Sequence, residues 1–110
     1  MRGLSSLVVA LVVLVPSLCF AQGSITGIVR DSSGAVLPGV TVDASSDVLI
    51  EKTRTAVTDS NGQYRIVDLR SGTYAVTFTL PGFSAFRRSG VNIEGAFTAT
   101  VNADMKIGAL

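Results

Sequence analysis

Residues 58–83 read TDSNGQYRIVDLRSGTYAVTFTLPGF, and this stretch decides the fold. It holds two strand-like runs set between turns. In Asp59-Ser60-Asn61-Gly62 the Asp and Asn side chains can bond their own backbone, and glycine takes a positive φ at no steric cost. Tyr64-Arg65-Ile66-Val67 then alternates, with Tyr64 and Ile66 on one face. Ser71-Gly72 turns the chain again. From there Tyr74, Val76, Phe78 and Leu80 alternate with Thr73, Ala75, Thr77 and Thr79. A period of two in β-branched and aromatic residues predicts a half-buried antiparallel strand. Pro81-Gly82 stops it.

Toward the N-terminus, residues 24–30 (SITGIVR) alternate as a first strand, and Asp31-Ser32-Ser33-Gly34 is a turn. Leu37-Pro38-Gly39 precedes a second strand, residues 40–45, with Val40, Val42 and Ala44 inward. Pro38 cannot donate to a ladder, so it belongs at the start of a strand or on an edge. Residues 50–58 read as a third strand whose threonines and charges suit an exposed edge. Toward the C-terminus, Phe86-Arg87-Arg88 is strand or loop, Ser89-Gly90 breaks it, and residues 91–93 resume. Residues 97–107 form the last strand. Turn signals recur at roughly 8–12 residues and no helical period follows Ala21, so the sequence predicts an all-β sandwich or barrel. The expected core is Ile25, Val29, Leu37, Val40, Val42, Tyr64, Ile66, Leu69, Tyr74, Val76, Phe78, Phe83, Val91 and Val101.

Residues 1–21 differ in character. A single charge, Arg2, precedes an apolar run from Leu4 to Val15, then Pro16 and Cys19-Phe20-Ala21. These are the n-region, h-region and small-residue cleavage site of a signal peptide. The run is shorter than the ~20 residues a spanning helix needs. The expected organisation is a cleaved signal helix, 1–21, and one β-sandwich domain, 22–110, beginning at Gln22 after cleavage. The alternatives are an uncleaved anchor, lipidation at Cys19, where the large Leu18 precedes the thiol, and a core helix, for which no polar face is provided.

Removing 21 residues from 110 leaves 89. Without Arg2, eight basic residues face eight acidic ones, so net charge is zero and nothing favours nucleic acid. The sole Cys departs with the leader, so the exported domain has no disulfide. A domain of this size buries only ~60–65% of its unfolded surface, which gives modest stability on its own.

The spacing Gly27-x-Val29-x-Asp31, Gly34-x-x-Leu37-Pro38-Gly39-Val40-x-Val42, Thr58-Asp59-x-x-Gly62-x-Tyr64, Leu69-x-x-Gly72-x-Tyr74-x-Val76 and Gly82-Phe83 resembles a carboxypeptidase regulatory-like domain. The resemblance runs from Ser24 to about Ile107. It implies a seven-stranded Greek-key sandwich of the transthyretin-like type, grouped with starch-binding-like folds. It implies no peptidase activity, because such domains accompany catalytic domains. A leader followed directly by this domain and by Val101-Asn102-Ala103-Asp104-Met105-Lys106-Ile107-Gly108 also resembles the N-terminus of TonB-dependent outer-membrane receptors. That implies the periplasm or outer membrane of a Gram-negative bacterium, and a plug and barrel as downstream domains. With Leu110 as the last residue given, the expectation is a fragment, a truncated gene or a stand-alone module.

Candidate chemistry is sparse. The chain has no His or Trp, which removes Ser-His-Asp and Cys-His catalysis and the usual zinc sites. Asp31, Asp43, Asp47, Glu51, Asp59, Asp68, Glu94 and Asp104 mostly sit beside turn residues, where Asx turns outweigh acid–base work. Asp59-Ser60-Asn61-Gly62 opens like a calcium loop, but Arg70 stands at the twelfth position, where such a loop needs a carboxylate. Tyr64, Tyr74, Phe78 and Phe83 are expected in the core rather than as sugar platforms, the tyrosine hydroxyls reaching the surface. Phe86, Arg87 and Arg88 form the one candidate surface contact, for a protein partner or a glycan; the competing expectation is a half-buried edge with two solvated arginines. An edge at residues 51–57 or the final strand offers strand addition, unless charge blunts it. No cofactor and no metal is expected. The function expected is a non-catalytic exported accessory module; a carbohydrate-binding module is the alternative.

Overall fold

The computed structural model describes residues 22–108, and the expected leader, 1–21, lies outside them. Eight strands form: β1 Gly23–Asp31, β2 Thr41–Ser45, β3 Thr53–Val57, β4 Gln63–Leu69, β5 Gly72–Thr79, β6 Phe86–Ile93, β7 Thr98–Thr100 and β8 Ala103–Met105. One sheet has the order β4-β1-β7, with β8 also on β1; the other has β3-β2-β5-β6. The chain therefore crosses between sheets after β1, β3, β4 and β6, and the two layers make an all-β sandwich. β4 is antiparallel to β1, whereas β7 and β8 run parallel to it.

The alternation of the sequence is the alternation of burial. Tyr74, Val76 and Phe78 of β5 point inward with at most 1% exposure, between half-buried or exposed neighbours. They meet Val42 and Ala44 of β2 in the same layer, and Ile25, Val29, Tyr64 and Ile66 from the facing sheet. All the expected core residues are buried except Leu37 and Phe83, which pack half-buried against the rim. The core also takes in Leu49, Ile93, Ala99, Ala103 and Met105, which the sequence pattern did not single out.

Three elements depart from expectation. The third strand starts at Thr53, not residue 50. Residues 47–52 form turns that plug Leu49 into the core, closed by Lys52 N–H on Leu49 O and Ser46 N–H on Lys52 O, with Lys52 at φ 68°. Second, β6 runs through Ser89-Gly90 instead of breaking there. Gly90, at φ 73°, absorbs an extra residue where the β5–β6 register shifts between Tyr74 and Val76. Third, the last strand is two short ones, β7 and β8, which brings the total from seven to eight. At the gap the Tyr64 hydroxyl bonds Val101 O, and the Asn102 Oδ1 stands in for a strand carbonyl by accepting Ile28 N–H at 2.9 Å.

Candidate functional site

Phe86, Arg87 and Arg88 lie on β6, the edge of the second sheet, and the strand's alternation divides them. Phe86 pairs with Phe78 and Arg88 with Val76, so both face inward; Arg87 pairs with Thr77 on the outer face. Phe86 is half-buried because its ring ends an aromatic column across the sandwich. Tyr64 meets Phe78 edge-on at 5.6 Å, and Phe78 meets Phe86 at 5.8 Å. The Arg88 guanidinium caps the column 5.8 Å from the Phe86 centroid. Arg87 instead lies along its strand toward the Ser89 hydroxyl at 3.4 Å. It lines a shallow groove of about 510 Å³ on the outer face with Ser45, Lys52 and Thr73. The arrangement is thus a capped core edge plus one outward arginine, with no ring left flat to solvent at position 86.

The other candidate positions prove to hold the scaffold together. The Asp59 carboxylate accepts Asn61 N–H and Gln63 N–H, forming an Asx turn. Gly62 in that turn sits at φ 74°, and a Cβ there would lie 2.8 Å from Val29 O. Thr58 is buried and clamps the Leu37-Pro38-Gly39-Val40 segment, donating to Leu37 O at 2.7 Å and accepting Val40 N–H at 2.9 Å. Asp31 accepts the Ser33 hydroxyl, Ser33 N–H and Ala35 N–H, and the serine hydroxyl first of all holds its carboxyl below the usual range. Gly27 has no side chain because Tyr64, its partner on β4, lays its ring across β1 to reach Val101 on the far side. A Cβ on Gly27 would stand 2.0 Å from Val101 O. The Tyr64 hydroxyl is therefore buried, contrary to the expectation that it reaches the surface, and burial pushes its pKa up. Tyr74 comes nearer that expectation: its hydroxyl is part-buried on Arg70 O, and burial again pushes it up.

The 51–57 edge is blunted. Arg54 pairs with Ala44 and so points toward the core side of β3. Its guanidinium then turns across to the other sheet, donating to Val67 O at 3.0 Å and Asp68 O at 2.7 Å, and to both Glu51 oxygens. That hydrogen bonding from Arg54 holds the Glu51 carboxyl below its usual range. An inward-turned arginine on an edge strand occludes pairing with another chain. No sequence signal distinguished this clasp from an ordinary surface charge.

A second groove, about 660 Å³, lies on the outer face of the first sheet over Thr26, Ile28, Gln63, Arg65, Thr100 and Asn102. It offers hydroxyls, amides, one guanidinium and the Asp59 carboxylate, whose Oδ1 is taken up by the Asn61 and Gln63 N–H groups. Among the described residues, no three of His, Cys, Asp and Glu converge as metal ligands.

Comparison with known proteins agrees with this geometry. Residues 24–106 match the family profile of the carboxypeptidase regulatory-like domain. The chain is 32% identical over 107 residues to the TonB-dependent transporter Oar of Myxococcus xanthus, covering 96% of this chain and 10% of the transporter. The chain thus spans about a tenth of that relative's length. Among solved structures, the Bacillus anthracis TIE protein superposes with a TM-score of 0.63 at 17% identity, over 79% of this chain and 17% of that one. Wild-type catechol 1,2 dioxygenase of Acinetobacter radioresistens gives 0.60 at 13% identity, over 82% and 53%. At such identities the likeness is one of fold alone.

Proposed function

Because the chain belongs to the carboxypeptidase regulatory-like domain family, we propose that it is a non-catalytic module, exported by its leader, that serves as the N-terminal accessory domain of a TonB-dependent receptor-like protein. The observation that carries this reading is the extent of the match to the Myxococcus xanthus transporter. It takes in 96% of the chain, hence most of residues 1–21 as well as the sandwich. A match that runs from the 1–21 stretch into the sandwich and fills about a tenth of a TonB-dependent transporter supports a place in a larger envelope protein.

The family's motif residues support a non-catalytic role. Gly27, Thr58, Asp59, Gly62, Tyr64 and Tyr74 are each committed to turns, clamps or close packing. In this reading the partners are the downstream domains of the same protein or a second envelope protein. The module spaces or docks, and Arg87 on the open outer face is the residue placed to touch a partner. A glycan-binding role, the alternative, is better served by Phe97, a residue 56% exposed, than by the half-buried Phe86, which is flanked by Phe78 and Arg88.

N-terminal sequencing of the protein from expressing Gram-negative cells tests export. A mature chain starting at Gln22 in the envelope fraction is expected. An intact Met1 in the cytosol overturns the reading.

A further inference from the structure

The sandwich begins abruptly. Gly23 is buried at the head of β1 and pairs with Leu69 of β4; a Cβ on it would run into Ile93 Cγ2 and stand 2.8 Å from Phe97 O. Ser24 is fastened on the other side, its N–H donating to Phe97 O at 3.1 Å and its hydroxyl meeting that of Thr98 at 2.9 Å. Gln22, one residue earlier, is exposed. Cleavage of the leader after Ala21 therefore leaves a single residue outside the sandwich, and that residue is glutamine.

A glutamine that carries a free α-amine can close on itself. The amine nitrogen attacks Cδ of its own side-chain amide, the Cδ–Nε2 bond breaks, and Nε2 leaves as ammonia with the proton the amine gives up. A five-membered lactam forms, and no oxidant, metal or second substrate is consumed. An α-amine has an ordinary pKa of about 7.7–8.0, so near neutral pH part of it is the nucleophilic free base. The surroundings of Gln22 do not hold it back. It lines a small corner of about 160 Å³ with Glu51, Asp68, Arg54 and Arg70. Two carboxylates there already match two guanidiniums in number, and Glu51 is taken by Arg54 at 3.0 Å. An α-ammonium would be a surplus charge, and its loss brings the corner back to neutral.

We propose that Gln22 is a modification site, at which the mature amino terminus closes into a pyroglutamyl lactam and seals the head of β1. The proposal rests on the reading above that the leader is removed after Ala21. β1 is the strand on which the first sheet is built, held by β4 on one side and by β7 and β8 on the other. An aminopeptidase working inward from a free Gln22 would pass Gly23 and Ser24 and reach Ile25, which is wholly buried in the core. The lactam has no α-amine for such an enzyme to hold, so the strand is closed to digestion from its open end.

Mass spectrometry of the amino-terminal peptide tests it, on the whole protein taken from expressing Gram-negative cells. A sealed terminus resists stepwise chemical sequencing, so mass is the readout. Primary amines are blocked by reductive methylation at lysis, so that no ring can close during handling. The exposed Lys52 and Lys106 report complete labelling. The expected peptide begins at Gln22, lacks the mass of one ammonia and carries no label at its terminus. Gln22→Ala leaves the cleavage-site residues before it unchanged, and should start at the same position with its terminus fully labelled. A wild-type peptide beginning with a methylated, full-mass Gln22 overturns the proposal and leaves the leader reading standing. An unlabelled terminus in Gln22→Ala also overturns it, since another group is then the block. A peptide beginning at any other residue overturns the leader reading itself, and the modification with it.

Discussion

Replacing Gly27 by alanine probes the contact on which the first sheet closes. The new Cβ would stand 2.0 Å from Val101 O, 2.7 Å from Val101 C and 2.9 Å from the Tyr64 ring. None of these neighbours is a flexible side-chain end, so the 101 backbone must move outward by an ångström or more. That movement costs about 1–3 kcal/mol as overpacking. It also breaks the Tyr64 hydroxyl bond to Val101 O and the 2.8 Å bond from Val101 N–H to Thr26 O, at about 0.5–1.5 kcal/mol each. The expected loss is about 2–6 kcal/mol. At about 4–8 °C per kcal/mol for a domain of this size, even the lower bound lowers Tm by roughly 8 °C. Thermal unfolding followed by far-UV circular dichroism reads it directly. A cycle with Tyr64→Phe separates the terms, because that change removes only the hydroxyl. The double variant should lose less than the sum of the singles, both acting on Val101 O. A Gly27→Ala protein melting within 2–3 °C of wild type (about half a kcal/mol) would refute the close approach of these three residues.

Other outcomes follow from the same geometry. Tyr74→Ala and Val76→Ala each destabilise by about 2–5 kcal/mol as buried truncations, and unchanged melting temperatures would mean the inner face of β5 is misassigned. Arg54→Ala lowers Tm by a few degrees and raises hydrogen exchange at the β3–β4 corner, since it removes the bonds to Val67 O and Asp68 O; exchange unchanged there speaks against the clasp. Burial raises the Tyr64 hydroxyl above its unfolded value of 10.0. Its contribution is complete below that value and is lost as pH climbs toward the folded pKa, so stability should hold near neutrality and fall above about pH 10. In Tyr64→Phe that alkaline decline should be shallower; an identical decline in both proteins assigns it to other groups. Affinity electrophoresis in starch-type oligosaccharides should show no retardation, and retardation abolished by Phe97→Ala would restore the carbohydrate reading.

The fold was legible where local pattern and tertiary burial coincide. Residues 73–80 alternate without a break, and β5 lies at the centre of its sheet with its apolar face wholly covered. The 47–52 loop was less legible, because Ile50 extends the apparent strand while it is Leu49 that enters the core and Ile50 that stands 88% exposed. The split between β7 and β8 depends on Tyr64, which is remote in sequence from Val101, so no local rule could show it. The same distance hid why position 27 must be glycine. The candidate contact at 86–88 looked like one cluster because its residues are contiguous. On a strand, contiguous residues face opposite ways, and Arg87 is parted from Phe86 and Arg88. Turn motifs such as Asp59-Ser60-Asn61-Gly62 were read correctly as structure, since an Asx turn is a short-range arrangement.

The most direct test of the proposed role is the size and location of the native protein, measured by immunoblotting fractionated source cells with an antibody raised against residues 22–108. A band many times larger than the domain, in the outer-membrane fraction, is predicted for the N-terminal module of a receptor-like protein. A band of domain size, free in the periplasm or cytosol, would contradict that account.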